Sequence, residues 1–341
     1  MRLNMNKKAT IKDVAALAGV SISAVSYILN RSTEKKYSAE TVERVNMAAR
    51  KLNYSPTNIA RGMRSQRAHA LGVVSFWELD NRVYVKTLEG AINECAKENY
   101  SLILCQVNNC PIGGVVPDDF SYIQYYIDKR IDGILFLAPP SIERTLHEQL
   151  HIDKMKQVGI PCVVINGETH DPDINYLRYD YRSTTRAAAE YLIKNGHSSI
   201  YYISPKVCES CQELSLRRKG FLDAVPGGKI VDIDDVTPER LKEYGAVVTN
   251  KSDTALKLIN MALDNDIRIP DSLSIVSANV ENYSEFLHPP LTCVQLPFGK
   301  IGEAAVKLLI GEIDGKTEKA DITLSCEIFA GGSVKILDKS N

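Results

Sequence analysis

The sequence lacks the features that mark several common classes of protein. No run of about 18 apolar residues is present, so no stretch has the length and apolarity of a membrane-spanning helix. The amino-terminal stretch MRLNMNKKAT has no apolar core of the kind found in secretion signals. A phosphate-binding glycine loop, a GxSxG motif and an HExxH motif are all missing. We therefore expect a cytoplasmic protein with no membrane partner, no cofactor and no enzymatic activity.

The eight cysteines show no regular spacing, and a chain of 341 residues needs no disulfide framework to be stable. We expect most of them to be buried thiols. The stretch CESC, from Cys208 to Cys211, has the spacing of a zinc or redox pair. A closed zinc site needs two more ligands, and neither Cys110 nor His288 has supporting spacing. Ordinary loop thiols are the favoured interpretation, and no metal site is predicted.

Charge is distributed unevenly along the chain. The net charge is −1, but residues 1–70 contain 13 Lys or Arg against 4 Asp or Glu, a balance of +9, and the other residues contain 28 against 38. The length suggests two or three domains. We interpret the chain as a basic head that binds a polyanion, attached to an acidic body.

Two short apolar-patterned segments lie near the start of the chain. Thr10 is a predicted N-cap for a helix over residues 11–18, and Gly19 supplies the left-handed conformation that ends it. Ser21 then caps a second helix that ends near residue 29. Two helices joined by a tight glycine turn form a helix-turn-helix, whose second helix fits the major groove of DNA.

A third helix is predicted to begin after Ser38 and to pack against the first two. Pro56 ends it, and residues 58–64 form a short further helix that Gly62 weakens by about 1 kcal/mol relative to Ala. We expect this hinge segment to fold only on DNA. The alternative is a small helical bundle with a solvated basic face, and the hinge segment and the charge of the head favour DNA binding.

The stretches TIKDVAALAGVSISAVSYILN and LNYSPTNIARGM, in this order, resemble the DNA-binding head of the lactose and galactose repressor (LacI/GalR) family. The resemblance implies a helix-turn-helix domain over residues 1–57 and a hinge over 58–70. It implies phosphate contacts from six residues, Thr10, Ser21, Ser26, Asn30, Tyr54 and Thr57. Base edges would be read by Ile22, Ser23 and Tyr27, while Ala60 and Met63 would enter the minor groove. Tyr27 departs from the Arg or His more usual there, so we expect a different preferred half-site.

The remainder of the chain alternates β-rich runs with helical patterns, in two successive series. This alternation predicts an α/β body with two lobes of parallel, doubly wound sheet, and a cleft at the carboxyl ends of the strands. The first strand series lies at 70–76, 100–107, 132–138 and 160–167. The second lies at 199–204, 246–250 and 273–278.

Residues 71–341 also resemble the family's periplasmic-binding-protein-like core, through stretches such as RIDGILFLAP and EYLIKNGHSSIYYIS. The resemblance implies crossovers near Gly167, Val294 and Leu324. The first lobe would then hold residues 71–167 and 295–323, and the second 168–294 and 324–338. It further implies a homodimer on a pseudo-palindromic operator and a small-molecule effector in the cleft.

Six residues are candidates for the effector site. Arg217 and Phe298 match the family's binding positions, but Asn166, Asn279 and either Lys251 or Ser252 stand where carboxylates are common. A neutral sugar is therefore disfavoured, because carboxylates accept hydrogen bonds from vicinal hydroxyls. Two alternatives stay open: the cleft binds a sugar phosphate or another anion, or it binds no small molecule. Trp77 either stacks on a ligand or fills the lobe interface.

Two functions compete for the whole chain. One is a DNA-binding transcriptional regulator, most simply a repressor, and the other is a two-lobed small-molecule receptor without DNA regulation. Only the first explains why a basic helix-turn-helix precedes the two-lobed body. We therefore expect double-stranded operator DNA as the principal partner.

Overall fold

A computed structural model describes residues 9–29, 37–54, 67–75, 81–106, 120–138, 144–206, 212–280 and 283–337. The chain forms two units, Met1–His69 and Ala70–Asn341. Within the described ranges, no single helix combines the length and apolarity needed to cross a bilayer. Only one pair of short helices near the start meets both criteria jointly, and that pair is bent by 103°.

The head contains three described helices, α1 (Ile11–Ala18), α2 (Ile22–Leu29) and α3 (Ala39–Lys51). The 103° bend lies between α1 and α2, within the range typical of a helix-turn-helix. Small and β-branched side chains form the core where the three helices meet, including Val14, Ala18, Val25, Val45 and Ala49. Such small side chains allow three short helices to pack closely, so the predicted packing of the third helix against the first two is confirmed.

The first lobe of the body is built on a six-stranded parallel sheet with the order β11-β5-β4-β3-β1-β2. Its strands are β1 (Ala70–Ser75), β2 (Ser101–Gln106), β3 (Gly133–Leu137), β4 (Cys162–Ile165), β5 (Asn175–Tyr179) and β11 (Asp321–Leu324). Its helices are α4 (Arg82–Lys97), α5 (Ser121–Ile127), α6 (Arg144–Val158) and α11 (Phe298–Ile313). Every residue of β1 and β3 is buried, as expected for parallel strands covered on both faces.

The second lobe has a six-stranded sheet with the order β12-β10-β9-β8-β6-β7, in which only β12 runs antiparallel. Its strands are β6 (Tyr201–Ser204), β7 (Lys229–Asp232), β8 (Ala246–Thr249), β9 (Ser274–Ser277), β10 (Thr292–Gln295) and β12 (Glu327–Phe329). Its helices are α7 (Tyr181–Lys194), α8 (Gln212–Ala224), α9 (Pro238–Tyr244) and α10 (Ser252–Asp264). The predicted class, an all-α head followed by two parallel-sheet lobes, is confirmed.

The first crossover between the lobes differs from the sequence prediction near Gly167. The chain stays in the first lobe through β5, which pairs with β4 and β11, and it crosses at Asp180. Residues 168–179 therefore belong to the first lobe. The polar residues Asn175 and Arg178 interrupt the apolar pattern of this strand and obscured it. The other two crossovers follow β10 and β11.

Candidate nucleic-acid interface and interlobe cleft

The turn between α1 and α2 is fixed by local chemistry. Gly19 has φ 65° and ψ 38°, a left-handed conformation that costs other residues about 1–2 kcal/mol. Two residues later, the Ser21 hydroxyl accepts a hydrogen bond from the backbone N–H of Ala24 at 3.1 Å. This N-cap starts α2 immediately after the turn and sets its direction.

The exposed face of α2 carries the predicted base-reading residues. Ala24 and Val25 are buried, whereas Ser21, Ile22 and Ser23 are exposed. Ile22 is 37 % exposed although it is a large apolar residue. Ser26 and Tyr27 follow on the same helix and are half-buried. The first turn of α2 is thus the part of the helix that is open to an incoming surface.

Thr10 acts as the cap of α1 through Asp13. The Asp13 carboxylate accepts hydrogen bonds from the Thr10 backbone N–H at 2.8 Å and from its hydroxyl at 2.7 Å. Both Thr10 donors are therefore engaged within the head. The hydroxyl can donate to a phosphate only by turning away from Asp13.

Tyr54 anchors the end of the head. Its backbone N–H donates to the carbonyl of Ala49 at 2.9 Å, and its side chain packs against the head core. This partial burial raises the pKa of the Tyr54 hydroxyl, so the group stays protonated and can donate a hydrogen bond at neutral pH. The predicted contacts Asn30, Thr57, Ala60 and Met63 lie outside the described residues.

Between the lobes lies a cleft of about 410 Å³. Its described lining comes from both lobes, and many of the lining residues belong to the first turns of helices that follow strands. These are Asn81, Arg82, Val83, Val85, Lys86, Tyr181, Glu213, Arg217, Lys251, Asp253, Asn279, Tyr283, Leu296 and Phe298. The cleft is therefore at the carboxyl ends of the strands, where open α/β sheets bind ligands. Trp77, predicted at its mouth, lies outside the described residues.

Arg217 forms part of the cleft wall and is only 1 % exposed. Its Nε donates to Glu213 at 3.1 Å, and its Nη1 donates to the Thr184 hydroxyl at 2.8 Å and the Ala278 carbonyl at 2.7 Å. The guanidinium also lies 5.0 Å from the ring centroid of Tyr181. Four contacts fix its orientation, so its position does not depend on a ligand.

The first lobe contributes one aromatic ring to the described lining of the cleft, that of Phe298. Phe298, 4 % exposed, packs edge-on against Tyr179 at 5.2 Å between ring centroids. Asn166 does not line the cleft itself, but its Nδ2 donates to the hydroxyl of Tyr181 at 3.1 Å. Of the two residues, Phe298 reaches the cleft directly and Asn166 only through Tyr181.

Ser252 was predicted as an effector contact, and the structure places it elsewhere. It is fully buried, and its hydroxyl donates to the backbone carbonyl of Asn279 at 2.7 Å. Its neighbours Lys251 and Asp253 line the cleft instead. The α10 N-terminus turns the Ser252 side chain inward, because successive residues of a first helical turn point in different directions. Asn279 itself does line the cleft, as predicted.

Sequence reasoning missed four charged residues of the lining, Arg82, Lys86, Glu213 and Asp253. Their position in the sequence could have identified them, because each lies in the first turns of a helix that follows a strand. The sequence predicts few carboxylates in the cleft, whereas the described lining contains two. One of these, Asp253, accepts a hydrogen bond from the hydroxyl of Tyr283.

The cysteines of the described ranges form no disulfide. Cys95, Cys105, Cys162, Cys293 and Cys326 are free thiols, and the first four are buried. Within the part of the chain that the structure describes, no group of three His, Cys, Asp or Glu residues could hold a metal ion. The segment from Cys208 to Cys211, and Cys110, lie outside that part.

Comparison with protein families and curated proteins gives matches for both units. Residues 10–57 match the family described as bacterial regulatory proteins, lacI family, and residues 189–334 match the periplasmic binding protein-like domain. The HTH-type transcriptional repressor PurR of Vibrio atlanticus (strain LGP32) is 29% identical over 350 residues, an alignment that covers 97% of this chain and 100% of the relative.

Solved structures match the same architecture. The lac repressor dimer bound to operator and the anti-inducer ONPF aligns with a TM-score of 0.68 at 20% identity, over 96% of this chain and 100% of that one. The transcriptional regulator CelR in complex with cellobiose aligns with a TM-score of 0.59 at 21% identity, over 95% and 99%. At these identities, the two structures show that this chain shares their fold and nothing more.

A basic helix-turn-helix joined to a two-lobed body with a polar cleft is the architecture of a DNA-binding transcriptional regulator. The matches to both units, together with relatives aligned along nearly the whole chain, agree with this class. The chain carries a LacI-family DNA-binding domain followed by a periplasmic binding protein-like domain.

Proposed function

We propose that the protein is a transcriptional repressor that binds a pseudo-palindromic operator as a homodimer, and that a small molecule in the interlobe cleft changes its affinity for DNA. The observation that carries the proposal is the exposed first turn of α2, with Ile22 and Ser23 open on a head of charge +9. Relatives such as PurR of Vibrio atlanticus are repressors, which supports the direction of regulation. A protein that acts on chromosomal DNA works in the cytoplasm.

The proposed operator contacts divide into two kinds. Ile22, Ser23 and Tyr27 read base edges in the major groove, and their lack of an Arg fork favours methyl and single hydroxyl contacts over guanine. The phosphate contacts fix the register of the head on the duplex without reading sequence. They are Thr10, Ser21, Ser26, Asn30, Tyr54 and Thr57.

The proposed domain boundaries follow this division of work. Residues 1–57 form the helix-turn-helix domain, 58–70 the hinge, and 71–341 the body that binds effector and partner subunit. In the hinge, Ala60 and Met63 enter the minor groove, where Met63 is the apolar wedge between base steps.

The homodimer proposal has support from apolar side chains that the isolated body leaves exposed. Ile92 on α4 is 53 % exposed and Leu104 on β2 is 45 % exposed, and α4 packs against β2. Burial of such residues against a second copy removes apolar area from water. Sedimentation of the full chain should give twice the chain mass, and Ile92→Glu should shift it toward the monomer. A monomer at micromolar concentration without any substitution would contradict the dimer.

An effector in the cleft is supported by the volume and polarity of the site. About 410 Å³ suits a small organic molecule, and the lining combines aromatic rings with charged groups. The structure of CelR contains cellobiose, which shows that a regulator with this fold binds a small molecule.

The sharpest test of DNA reading compares two exposed apolar residues of the head. An operator is first recovered by selection from genomic fragments, and its affinity is measured by fluorescence anisotropy over a range of salt. Ile22→Ala should weaken operator binding by about 1 kcal/mol, or roughly fivefold, because a base contact is lost. Binding to random DNA should change little, since phosphate contacts supply it.

Met47→Ala is the matched control, because Met47 is 54 % exposed but lies on α3, outside the helix-turn-helix. Its operator affinity should equal that of the unsubstituted protein. Equal losses in the two variants, or none in Ile22→Ala, would remove α2 as the reading helix.

A further inference from the structure

The described lining of the cleft contains more cationic than anionic side chains. Arg82 and Lys86 come from α4 of the first lobe, and Arg217 and Lys251 come from the second lobe. They face two carboxylates, Glu213 and Asp253. The cationic groups thus approach the same cavity from both lobes.

Both carboxylates already have protein partners. Glu213 accepts from Arg217 Nε at 3.1 Å and lies 3.9 Å from Lys251 Nζ. Asp253 accepts from the hydroxyl of Tyr283. These contacts use part of the acceptor capacity of each carboxylate, so fewer acceptor sites are left for the hydroxyls of a neutral sugar.

Arg217 keeps donor capacity after its structural contacts are made. Its Nε and Nη1 are engaged by Glu213, Thr184 and Ala278, and among the described residues Nη2 has no acceptor within hydrogen-bond distance. A nearly buried guanidinium nitrogen beside a cavity binds an anionic oxygen more strongly than a neutral hydroxyl, because the bond is charge-assisted.

Two helix N-termini also favour an anion in the cleft. α10 and α11 begin beside the cleft, and neither N-cap residue, Lys251 or Pro297, makes a side-chain capping bond. The first-turn N–H groups of these helices therefore lack a side-chain acceptor at their caps, and the positive ends of two helix dipoles add to the cationic side chains.

From this convergence we propose that the cleft ligand is a small organic anion, whose phosphate or carboxylate group is held between Arg82 and Lys86 of one lobe and Arg217 and Lys251 of the other. The inference rests on the proposed effector function and names its ligand class. An anion between two facing sets of cations replaces repulsion across the cleft with attraction, so its binding favours the approach of the lobes. The aromatic wall of Tyr181, Tyr283 and Phe298 faces the uncharged part of the ligand.

The test uses the full chain and three probes with one carbon skeleton, glucose, gluconate and glucose 6-phosphate, together with inorganic phosphate. Dissociation constants are measured by calorimetry at constant ionic strength set with chloride. Inorganic phosphate and at least one of the two organic anions should bind, and that anion should bind at least tenfold more tightly than glucose. The gluconate and glucose 6-phosphate arms distinguish a carboxylate from a phosphate ligand.

Lys251→Met and Lys86→Met should each weaken phosphate binding about fivefold or more. Lys257→Met is the matched control, because Lys257 is exposed on the same helix as the Lys251 cap but does not line the cleft, and it should leave binding unchanged. The comparison also separates the cleft from the basic head, which none of these substitutions alters.

Three results would overturn the inference: no binding of any anion, equal or tighter binding of glucose, or phosphate binding that Lys251→Met and Lys86→Met leave intact. Operator affinity measured on the same samples distinguishes a wrong ligand class from a wrong proposed function. If glucose binds in place of the anions and changes operator affinity, only the ligand class is wrong. If the protein binds no DNA, the proposed function itself fails.

Discussion

Among single residues, Arg217 connects several elements of the cleft wall. It sits on α8 and binds Thr184 of α7 and the Ala278 carbonyl that follows β9, so one side chain connects three elements. Glu213 balances its charge one helical turn away. A residue with these contacts is part of the structure as well as part of the proposed ligand site.

We predict that Arg217→Met lowers the free energy of unfolding by about 3 kcal/mol, because it leaves the Ala278 carbonyl and the Glu213 carboxylate without their partner. Urea denaturation would measure the change. Arg218→Met is the control, since the neighbouring Arg218 is exposed, and its stability should stay within about 0.5 kcal/mol. If both variants are equally stable, Arg217 has no structural role.

Burial also controls the ionisation of four cysteines. Burial raises the pKa of Cys95, Cys105 and Cys293 to about 11 and that of Cys162 to about 12, from an ordinary value of 9.0. A raised pKa means less thiolate at a pH below it. At pH 7.5 Cys95, Cys105 and Cys293 should therefore carry about 100-fold less thiolate than a free thiol, and Cys162 about 1,000-fold less.

We therefore expect the four buried thiols to resist Ellman's reagent at pH 7.5 in the folded protein, and all eight cysteines to react in urea. Mass spectrometry after brief alkylation would identify which sites react. Fast labelling of Cys162 in the folded state would show that its burial is wrong.

At the scale of elements, the first lobe depends on a close crossing of α4 and α11. A Cβ atom on Gly302 would lie 2.0 Å from the Thr87 carbonyl oxygen, and one on Gly90 would lie 2.0 Å from that of Gly299. Only glycine permits this approach. The crossing matters for the site because α4 carries Arg82 and Lys86, and α11 carries Phe298.

Gly302→Ala should accordingly lower the free energy of unfolding by about 2 kcal/mol, since the helices must move apart. Gly299→Ala, on the same helix, is the matched control, because its nearest neighbour would be the Lys86 carbonyl oxygen at 3.8 Å, an ordinary contact. Urea titration should show unchanged or slightly higher stability for the control. Equal stability of the two variants would contradict the close crossing.

The elements were predictable to different degrees. The helix starts at Thr10, Ser21 and Ser38 could be predicted because capping is decided by a few neighbouring residues. Strand β5 could not, because the polar residues Asn175 and Arg178 interrupt its apolar pattern. Their partners, Glu312 and Asp321, are brought to the strand only by the fold. The first crossover was misplaced for the same reason.

At the scale of the whole molecule, the sequence predicted the cleft but not its full lining. Arg217, Asn279 and Phe298 line it as predicted. Ser252 does not, while its neighbour Asp253 does, because a shift of one residue in the first turn of a helix turns a side chain from the cleft into the core. The charges of α4 were missed because they become part of the site only when the two lobes face each other.

In the proposed function, the head reads DNA sequence as one half of a symmetric pair. The most direct measurement is repeated selection of genomic fragments bound by the full chain, first at low and then at physiological salt, followed by sequencing. We predict enrichment of one motif with two inverted half-sites, whose affinity falls steeply as salt rises. Recovery of fragments with no shared motif at any salt concentration would contradict the claim.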